Sequence, residues 1–432
     1  MKPDPKMQWV AVVTMPAGWT PPEERKYHGD GRDILLQGFH WDSHRGVPDG
    51  ENHFKSWYRI LRENVESIKK AGFTWIWLPP ASDSLAPQGY IPRRWNVLDT
   101  PYGNEAELRA LLAALDPVKA LADVVLNHRV GVRTGGADFE DPPFPDNRAA
   151  IVRDDESGVG TGAYDTGERH PAGRDLDHTN PGVRAAIKNY LQRLRQVGFK
   201  GWRYDLVKGY HGRFIGEYND ASHPLFSVGE YFDTDRQHVT NWIDATGGKS
   251  CAFDFPTRYI LHHACHSDDY SGLRSTNNGR TVPGGLIGFW PSRAVTFLDN
   301  HDTEYRREKE HIANHDSTRH FYGTAVERGY AYLLTHPGIP CVFWSHFFDW
   351  GASTRRKLER LIRLRKALGL HATSHVDIRV ACKGLYAAVV DGKVAVKLGS
   401  REWSPGHGWR VVLDGDRFAV WIPWHASEAD LD

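Results

Sequence analysis

The sequence predicts an α/β fold, in which a (β/α)8 barrel carries a small inserted domain and is followed by an antiparallel β-sheet domain. Short apolar runs alternate with stretches of helical apolar spacing over most of the chain. From about residue 372 the apolar period changes to two, which is typical of half-buried antiparallel strands. The predicted parts are an N-terminal extension (1–30), the barrel (31–128 and 179–371), the insertion (129–178) and the C-terminal sheet (372–432).

Eight apolar runs supply the predicted barrel strands, at 33–39, 73–78, 118–126, 201–206, 226–230, 251–255, 293–298 and 339–344. The clearest predicted helices are 53–71, 104–115, 180–197 and 354–368. Five short strands are predicted in the C-terminal sheet, at 378–382, 385–390, 394–398, 409–413 and 418–422. Two dipeptides, Asp391-Gly392 and Asp414-Gly415, are typical of hairpin turns between such strands. The stretch 129–178 has no long periodic segment, and an irregular excursion of this length within a barrel indicates a functional insertion.

Polar side chains follow four of the predicted barrel strands. In Gly201-Trp-Arg-Tyr-Asp-Leu-Val-Lys-Gly-Tyr210, Arg203 and Asp205 are two residues apart, so a strand would point both to one face. The other three segments are Ala122-Asp-Val-Val-Leu-Asn-His128, Phe226-Ser-Val-Gly-Glu230 and Ala294-Val-Thr-Phe-Leu-Asp-Asn-His-Asp302. One such pair alone would fit a structural ion pair, but four segments ending this way describe one face of a barrel. We therefore expect the functional site at the carboxyl ends of the strands.

In chain order, these four segments resemble the four signature regions of the α-amylase family of retaining glycoside hydrolases, family 13. The resemblance extends from about Leu35 to the C-terminus. It is strongest to plant-type α-amylases, through the segments Trp77-Leu-Pro-Pro-Ala-Ser-Asp-Ser-Leu-Ala-Pro-Gln-Gly-Tyr90 and Thr335-His-Pro-Gly-Ile-Pro340. The segment Gln37-Gly-Phe-His-Trp41 is similar to bacterial maltotetraose-forming amylases.

The resemblance implies retaining endo-hydrolysis of α-1,4-glucosidic bonds in starch, glycogen and maltooligosaccharides. It assigns Asp205 as the nucleophile, Glu230 as the general acid and base, and Asp302 as the stabiliser of the transition state. An apolar run before Glu230 is consistent with a carboxyl that stays protonated. The residues that the resemblance places on the substrate are Tyr90, His128, Arg203, Lys208 and His301.

Three other functions stay open at this point. A maltooligosaccharide-forming exo-amylase of the same family would share all of these residues. A barrel that binds glucan or a protein partner without catalysis would not need the carboxylate set, and a barrel lyase or aldolase would need a Schiff-base lysine or a phosphate loop. The pair His262 and His266 has the spacing of metal ligands on a helix, but an exposed helix face explains it better.

The family resemblance also implies one structural calcium ion that joins the insertion to the barrel. Calcium binds carboxylate, amide and backbone carbonyl oxygens, which irregular chain can supply. The ligands carried over are the side chains of Asn127, Asp165 and Asp175 and the carbonyl groups of Glu168 and Gly209. Further ions are not expected, because Arg169 stands where another site of the family would need a carboxylate, beside Asp154 and Asp155.

The overall composition argues against some classes of binding partner. Lys plus Arg and Asp plus Glu both number 54, so no net charge favours nucleic acid or an anionic membrane, and no transmembrane segment is expected. Four scattered cysteines are predicted to be free thiols. The expected partner is an α-glucan and the expected state a monomer. Secretion is implied by the resemblance, whereas the first residues lack the apolar core of a signal peptide, so a cytoplasmic location stays open.

Overall fold

A computed structural model describes residues 27–49, 54–133, 136–171, 173–304 and 320–426. Eight parallel strands close into a barrel in which each strand neighbours the next in chain order, and the first also pairs with the eighth. These strands are Leu35–Gln37, Trp75–Leu78, Lys119–Val124, Gly201–Tyr204, Phe226–Gly229, Cys251–Phe253, Ala294–Thr296 and Ile339–Phe343. The predicted (β/α)8 barrel is therefore confirmed, and we number its strands first to eighth in this order.

Helices surround the barrel. In the described part of the chain the α-helices are Trp57–Glu63, Val65–Ala71, Glu105–Leu115, Pro181–Val197, Arg213–Ser222, Arg236–Ala245, Phe255–Ser267, Ala325–Thr335, Trp344–Phe348 and Ala352–Ala367. The single helix predicted over 53–71 is wrong, because two helices meet at Asn64. The side-chain amide of Asn64 donates to the Ile60 carbonyl at 2.9 Å, and the backbone of Asn64 leaves the helical conformation. The apolar spacing continues across this break, so the pattern alone does not reveal it.

The C-terminal part is a five-stranded antiparallel sheet, as predicted. Its strands in spatial order are Val376–Cys382, Leu385–Val390, Val394–Leu398, Phe418–Pro423 and Trp409–Gly415. Asp391 and Gly392 have φ of 52° and 68°, which confirms the hairpin turn predicted there. The turn predicted at Asp414-Gly415 is wrong, because Gly415 is still in the strand opposite Phe418 and the loop is the next two residues. Gly415 is needed there because a Cβ would collide with the Phe418 ring.

The insertion leaves the barrel after the third strand and is closed at its base by a short antiparallel pair, His128–Arg129 with Arg174–Asp175. Arg129 is fully buried and donates to three carbonyl groups of the surrounding chain. Its guanidinium also lies 5.0 Å from the ring centre of Trp95 and 4.9 Å from that of Phe139. These contacts hold the irregular chain of the insertion over the carboxyl ends of the strands.

All four cysteines are free thiols, as expected from their spacing. Over the described ranges, none of the helices combines the length and apolarity that crossing a bilayer requires.

Candidate active site

One buried arginine joins three carboxyl groups at the carboxyl ends of the third, fourth and fifth strands. Arg203 Nη1 lies 2.8 Å from Asp123 Oδ1 and 2.6 Å from Asp205 Oδ1. Its Nη2 lies 2.9 Å from Glu230 Oε2. Burial by itself would lower the pKa of the guanidinium, but the charges of Asp123, Glu230 and Asp205 raise that pKa well above its ordinary value. Arg203 is therefore a permanent cation that fixes the spacing of the three carboxyl groups.

Strand register explains why these groups meet. Arg203 pairs directly with Asp123 in the ladder between the third and fourth strands, so both side chains point into the barrel. The fourth strand then ends, and Leu206 takes a left-handed conformation with φ of 42°. Its N–H donates to Glu230 Oε2 at 3.2 Å. After this sharp turn, Asp205 contacts Nη1 of the guanidinium and Glu230 contacts Nη2.

Glu230 lies in an environment that favours its protonated form. The residue is buried at the end of the fifth strand. Burial raises the pKa of its carboxyl group well above the ordinary value; Arg203 opposes this, while the charges of Asp205 and Asp302 add to it. A raised pKa favours the protonated carboxyl group, which is the form that acts as a general acid.

Asp302 follows the seventh strand and is the most accessible of the predicted catalytic carboxylates, with a side chain 41% exposed. His301 Nε2 lies 3.2 Å from Asp302 Oδ2, and its Nδ1 lies 3.1 Å from the Gln37 amide nitrogen. The amide can donate to Nδ1, which leaves the proton of the ring on Nε2, toward Asp302. The ring of His301 also stacks on Tyr90, with centres 4.9 Å apart and planes within 3°.

Aromatic side chains pack against the buried arginine and its carboxyl partners. The Tyr90 hydroxyl and the Trp77 indole N–H both donate to Asp123 Oδ2, at 2.9 and 3.0 Å. Tyr90 is parallel to Trp41, with ring centres 6.2 Å apart. His128, predicted to contact sugar, is buried, and its Nε2 lies 2.8 Å from the Tyr90 carbonyl oxygen. Burial lowers the pKa of His128, so the neutral ring donates to this carbonyl and holds Tyr90 in place.

Lys208, predicted on the leaving-group side, joins the insertion to the loop after the fifth strand. Its Nζ lies 3.0 Å from Asp233 Oδ2 and 3.4 Å from Glu168 Oε1. It also lies 5.1 Å from the ring centre of Tyr231. Burial lowers the pKa of Lys208, but the hydrogen bond and charge of Asp233 and the charges of Glu168 and Tyr231 together raise it above its ordinary value, so the side chain is cationic.

Sequence reasoning missed Asp123, Gln37, Trp41 and Asp233 as parts of this site. Asp123 had a detectable signal, because it is a carboxylate inside the apolar run Ala122-Asp-Val-Val-Leu126, and buried charge in a strand needs a partner. Gln37 is likewise a polar residue in an otherwise apolar first strand. Trp41 begins a short 3-10 helix, Trp41–Arg45, and Asp233 lies on a loop, so no periodic pattern distinguishes either residue.

Most of the residues predicted to hold calcium come together where the insertion meets the barrel. Asn127 Nδ2 donates to Asp175 Oδ1 at 2.9 Å, and a Cβ on Gly209 would collide with Asn127 Oδ1. Asp165 Oδ1 accepts the N–H groups of the next two residues, at 2.6 and 3.2 Å. The backbone N–H of Glu168 donates to the Lys208 carbonyl at 2.8 Å.

The donor set fits an oxygen-preferring cation. Asp165 Oδ2 is buried without a hydrogen-bond partner. Burial raises the pKa of Asp175 to about 7, and the negative charge of Asp165 and other carboxylates adds to this rise. The negative charge near Asp175 is therefore not compensated. The acidic groups beside it have cationic partners: Asp155 pairs with Arg174 at 2.8 Å and Asp154 with Arg169 at 3.1 Å. The acidic groups that the structure brings within 4.8 Å of one another are Asp155, Glu156 and Asp175, and the charge of Asp165 also acts on Asp175.

Comparison with known proteins gives a consistent picture. Residues 367–422 match the family described as the alpha-amylase C-terminal beta-sheet domain. The chain is 39% identical to "Probable alpha-amylase 2" of Arabidopsis thaliana, over 91% of this chain and 94% of that protein. It is 36% identical to "Alpha-amylase 3, chloroplastic" of the same plant over 91% of this chain, and spans 44% of that protein. It is also 32% identical to "Glucan 1,4-alpha-maltotetraohydrolase" of Stutzerimonas stutzeri, over 89% of this chain and 71% of that protein.

Solved structures agree on the fold. An α-amylase of Anoxybacillus superposes with a TM-score of 0.66 at 17% identity, covering 91% of this chain and 98% of that one. An α-amylase of Malbranchea cinnamomea gives a TM-score of 0.64 at 18% identity, covering 91% of this chain and 97% of that one. With the barrel, the C-terminal sheet and relatives of this similarity over nearly the whole chain, the protein belongs to the α-amylase family of glycoside hydrolases.

Proposed function

We propose that this protein is an α-amylase that hydrolyses internal α-1,4-glucosidic bonds of starch, glycogen and maltooligosaccharides with retention of configuration. The observation that carries the proposal is the pair of carboxyl groups bound to one guanidinium, Asp205 at 2.6 Å and Glu230 at 2.9 Å. A retaining glycosidase needs a carboxylate nucleophile and a protonated carboxyl group close to each other. Glu230, whose pKa is raised, fits the role of the protonated carboxyl group. Asp205, which is paired with Arg203, fits the role of the carboxylate nucleophile.

In the proposed reaction, Asp205 attacks the anomeric carbon while Glu230 gives its proton to the glycosidic oxygen, and the leaving chain departs with that proton. Glu230, now a carboxylate, takes a proton from water, and the hydroxide oxygen displaces Asp205 from the sugar. Asp302, with His301 beside it, stabilises the positive charge that develops on the ring. Tyr90 would stack on the sugar ring that is being cleaved, and Lys208 would contact the leaving-group side.

Product stereochemistry tests this proposal. Two inversions give net retention, and retaining enzymes hold their carboxyl groups about 5–5.5 Å apart, without room for a water molecule between them. Proton NMR of a fresh digest should therefore show the α-anomer before mutarotation. The β-anomer appearing first would exclude Asp205 as the nucleophile.

A maltotetraose-forming exo-amylase is the second candidate, because relatives named "Glucan 1,4-alpha-maltotetraohydrolase" match most of the chain. The two candidates share the same carboxyl groups and differ in where the substrate chain ends. A time course on starch separates them. Endo-hydrolysis should give an early fall in viscosity and a ladder of products, whereas exo-action should give maltotetraose alone from the start.

We further propose that one Ca²⁺ ion binds Asn127, Asp165, Asp175 and the carbonyl groups of Glu168 and Gly209. The unpartnered Asp165 Oδ2 supports this assignment. Such an ion would supply a rigid link between the insertion and the strand ends that carry the catalytic groups. We propose a monomer that is exported, with a cytoplasmic enzyme as the alternative. Light scattering tests the oligomeric state, and activity in the culture medium tests the export.

A further inference from the structure

The turn that carries Asp302 is closed by a ring of hydrogen bonds. Thr303, which directly follows Asp302, has a buried hydroxyl group that donates to Asp299 Oδ1 at 2.9 Å and accepts the N–H of Asn300 at 3.0 Å. The side-chain oxygen of Asn300 accepts the N–H groups of Asp302 and Thr303, at 2.9 and 3.0 Å. The residues on either side of Asp302 are therefore bonded to each other across the turn. We call residues 299–303 the Asp302 turn.

Asp299 connects the Asp302 turn to neighbouring parts of the barrel. Arg258, on the helix Phe255–Ser267, donates from Nη2 to Asp299 Oδ1 at 2.7 Å and from Nε to the Leu298 carbonyl at 2.6 Å. The N–H of Phe321 donates to Asp299 Oδ2 at 2.8 Å. The side chains of Asp299 and Arg258 are only 1% and 9% exposed, so this is a buried ion pair whose remaining lone pairs are also bonded. The position of the turn therefore depends on groups outside it.

A buried histidine after the eighth strand faces the second carboxylate oxygen of Asp299. His346 Nε2 lies 3.6 Å from Asp299 Oδ2, and its Nδ1 lies 3.0 Å from the Tyr330 hydroxyl, which accepts the N–H of Phe343 at 3.0 Å. Burial lowers the pKa of His346 to about 4, so the ring carries one proton at pH 7. A carboxylate can only accept, so that proton belongs on Nε2 and Tyr330 donates to Nδ1. The end of the eighth strand is thus oriented toward Asp299 as well.

Asp302 has less surrounding structure of its own to fix it than the other proposed catalytic carboxyl groups have. Its side chain is 41% exposed, whereas those of Asp205 and Glu230 are 10% and 9% exposed. A carboxylate stabilises developing charge only if it already lies where that charge appears. A misplacement of about 1 Å that arises away from the chemistry can cost about 100-fold in rate.

We propose that Asp299 and Thr303 are positioning residues of the reaction, which hold the carboxylate of Asp302 where positive charge develops on the sugar ring. This inference rests on the proposed function and extends it to two buried side chains. An interaction that strengthens only as charge develops acts on the transition state and not on the bound substrate. Loss of the positioning bonds should therefore lower kcat and leave KM nearly unchanged.

Removal of one hydroxyl group tests the proposal. Thr303→Val keeps the shape of the side chain, and its kcat on maltoheptaose should fall about 10- to 100-fold with KM changed by less than about twofold. Thr303→Ser restores the hydroxyl group and should recover most of the lost kcat. Thr246→Val is the matched control, because the buried Thr246 hydroxyl likewise donates to a carbonyl, that of Ile243, and accepts an N–H, that of Lys249. This control lies before the sixth strand begins and should keep the kcat of the unaltered protein.

Asp299→Asn is the second variant. All the bonds that the Asp299 carboxylate accepts in the turn and from Arg258 and Phe321 come from donors, so the amide NH₂ would oppose at least one of them. The same separation of kcat from KM is expected. Circular dichroism of each variant gives the folded fraction, to which kcat is referred.

An unchanged kcat in Thr303→Val or in Asp299→Asn would overturn the proposal. So would an equal fall in Thr303→Ser or in Thr246→Val, because the effect would then not belong to the hydroxyl group of the Asp302 turn. A rise in KM without a fall in kcat would assign these residues to substrate binding instead. Failure of the proposed function would appear differently, as the absence of maltoheptaose hydrolysis by the unaltered protein.

Discussion

At the scale of single residues, the chemistry depends on how one guanidinium is shared. Arg203 contacts Asp123, Asp205 and Glu230, so one positive charge is set against three acidic groups in a buried place. Three ionised carboxylates beside one cation repel each other, so the cluster favours holding a proton. Burial raises the pKa of Glu230 well above its ordinary value and that of Asp123 to about 7. The cluster therefore holds a donatable proton beside a carboxylate.

Glu230→Gln should reduce kcat by about 10²–10⁴-fold or more, because the amide keeps the shape of the side chain but has no proton to give. Binding of maltoheptaose, measured by calorimetry, should persist. Glu402→Gln, on the exposed surface of the C-terminal part, is the control and should keep full activity. A Glu230→Gln enzyme that retains most of its turnover would show that the general acid lies elsewhere.

Asp123→Asn should lower kcat about 10- to 100-fold, by disturbing groups that touch the substrate rather than by direct contact. All three partners of Asp123 are donors, namely Arg203, Tyr90 and Trp77, so the amide NH₂ would face at least one of them. The less compensated guanidinium should also lower the pKa of Glu230. The alkaline limb of the kcat/KM profile against pH should then move to lower pH.

That shift separates a positioning role of Asp123 from a purely structural one. Loss of stability alone would reduce the amount of folded enzyme without moving the limb. Asp414→Asn, an exposed carboxylate on the C-terminal sheet, is the matched control and should leave the profile in place. A profile of unchanged shape in Asp123→Asn would contradict the prediction.

The sequence predicted part of this cluster. The two-residue spacing of Arg203 and Asp205 is enough to place them on one face, because alternation along a strand is a local property. The contact of Arg203 with Asp123 could not be predicted in the same way. It depends on the register between two strands that are far apart in sequence, which a local pattern does not contain. The carbonyl contact of His128 is equally non-local, since Tyr90 belongs to a different loop.

At the scale of elements, periodicity predicted the existence of strands and helices well and their ends poorly. The barrel strands are shorter than the apolar runs: the run 293–298, for example, contains only the strand Ala294–Thr296. Chain beyond a strand end stays apolar because it lines the barrel mouth, so hydrophobicity does not mark the boundary. Gly415 led to a wrongly predicted turn. Glycine is needed there because a side chain would collide with Phe418, and not because the backbone turns.

The insertion is the element whose stability should depend on metal. Exhaustive treatment with EDTA should lower both the melting temperature and the activity, because an ion bound only by the folded state stabilises it by about 2.7 kcal/mol at 100 times Kd. Added Ca²⁺ should restore both. Asp165→Asn should weaken the calcium dependence of the melting temperature, since it removes charge from the unpartnered oxygen.

Asp154→Asn provides the control for this experiment. Asp154 is paired with Arg169 at 3.1 Å, and the amide oxygen of Asn can still accept the Asp165 N–H, so this substitution should leave the calcium dependence intact. Elemental analysis of the purified protein should find about one calcium per chain, the single site expected from the donor set. A protein without calcium whose melting temperature ignores EDTA would exclude the site.

At the scale of the whole molecule, the C-terminal sheet is fastened to the barrel through the helix Ala325–Thr335 and the residues that follow it. Arg328 Nη1 lies 2.8 Å from Asp416 Oδ2, and its Nη2 donates to the Cys265 carbonyl at 2.9 Å. His336 Nε2 lies 2.8 Å from the Tyr386 hydroxyl, within a buried contact. Polar bonds in such a dry place tie the sheet to the barrel with a defined geometry.

Tyr386→Phe should therefore destabilise the whole chain while sparing catalysis. His336 Nδ1 lies 2.9 Å from the Tyr332 carbonyl and donates to it, and burial lowers the pKa of the ring to about 3, so neutral Nε2 must accept from Tyr386. Removing the hydroxyl leaves that nitrogen buried and unpaired, at a cost of about 1–3 kcal/mol in the free energy of unfolding. Denaturant unfolding should show this loss, with fluorescence and residual activity falling together because sheet and barrel unfold as one unit. Tyr322→Phe, whose ring is exposed, should unfold like the unaltered protein. If Tyr386→Phe instead produced a separate early transition that left activity intact, the sheet would be an independently unfolding domain, and the contact would not carry the stability of the barrel.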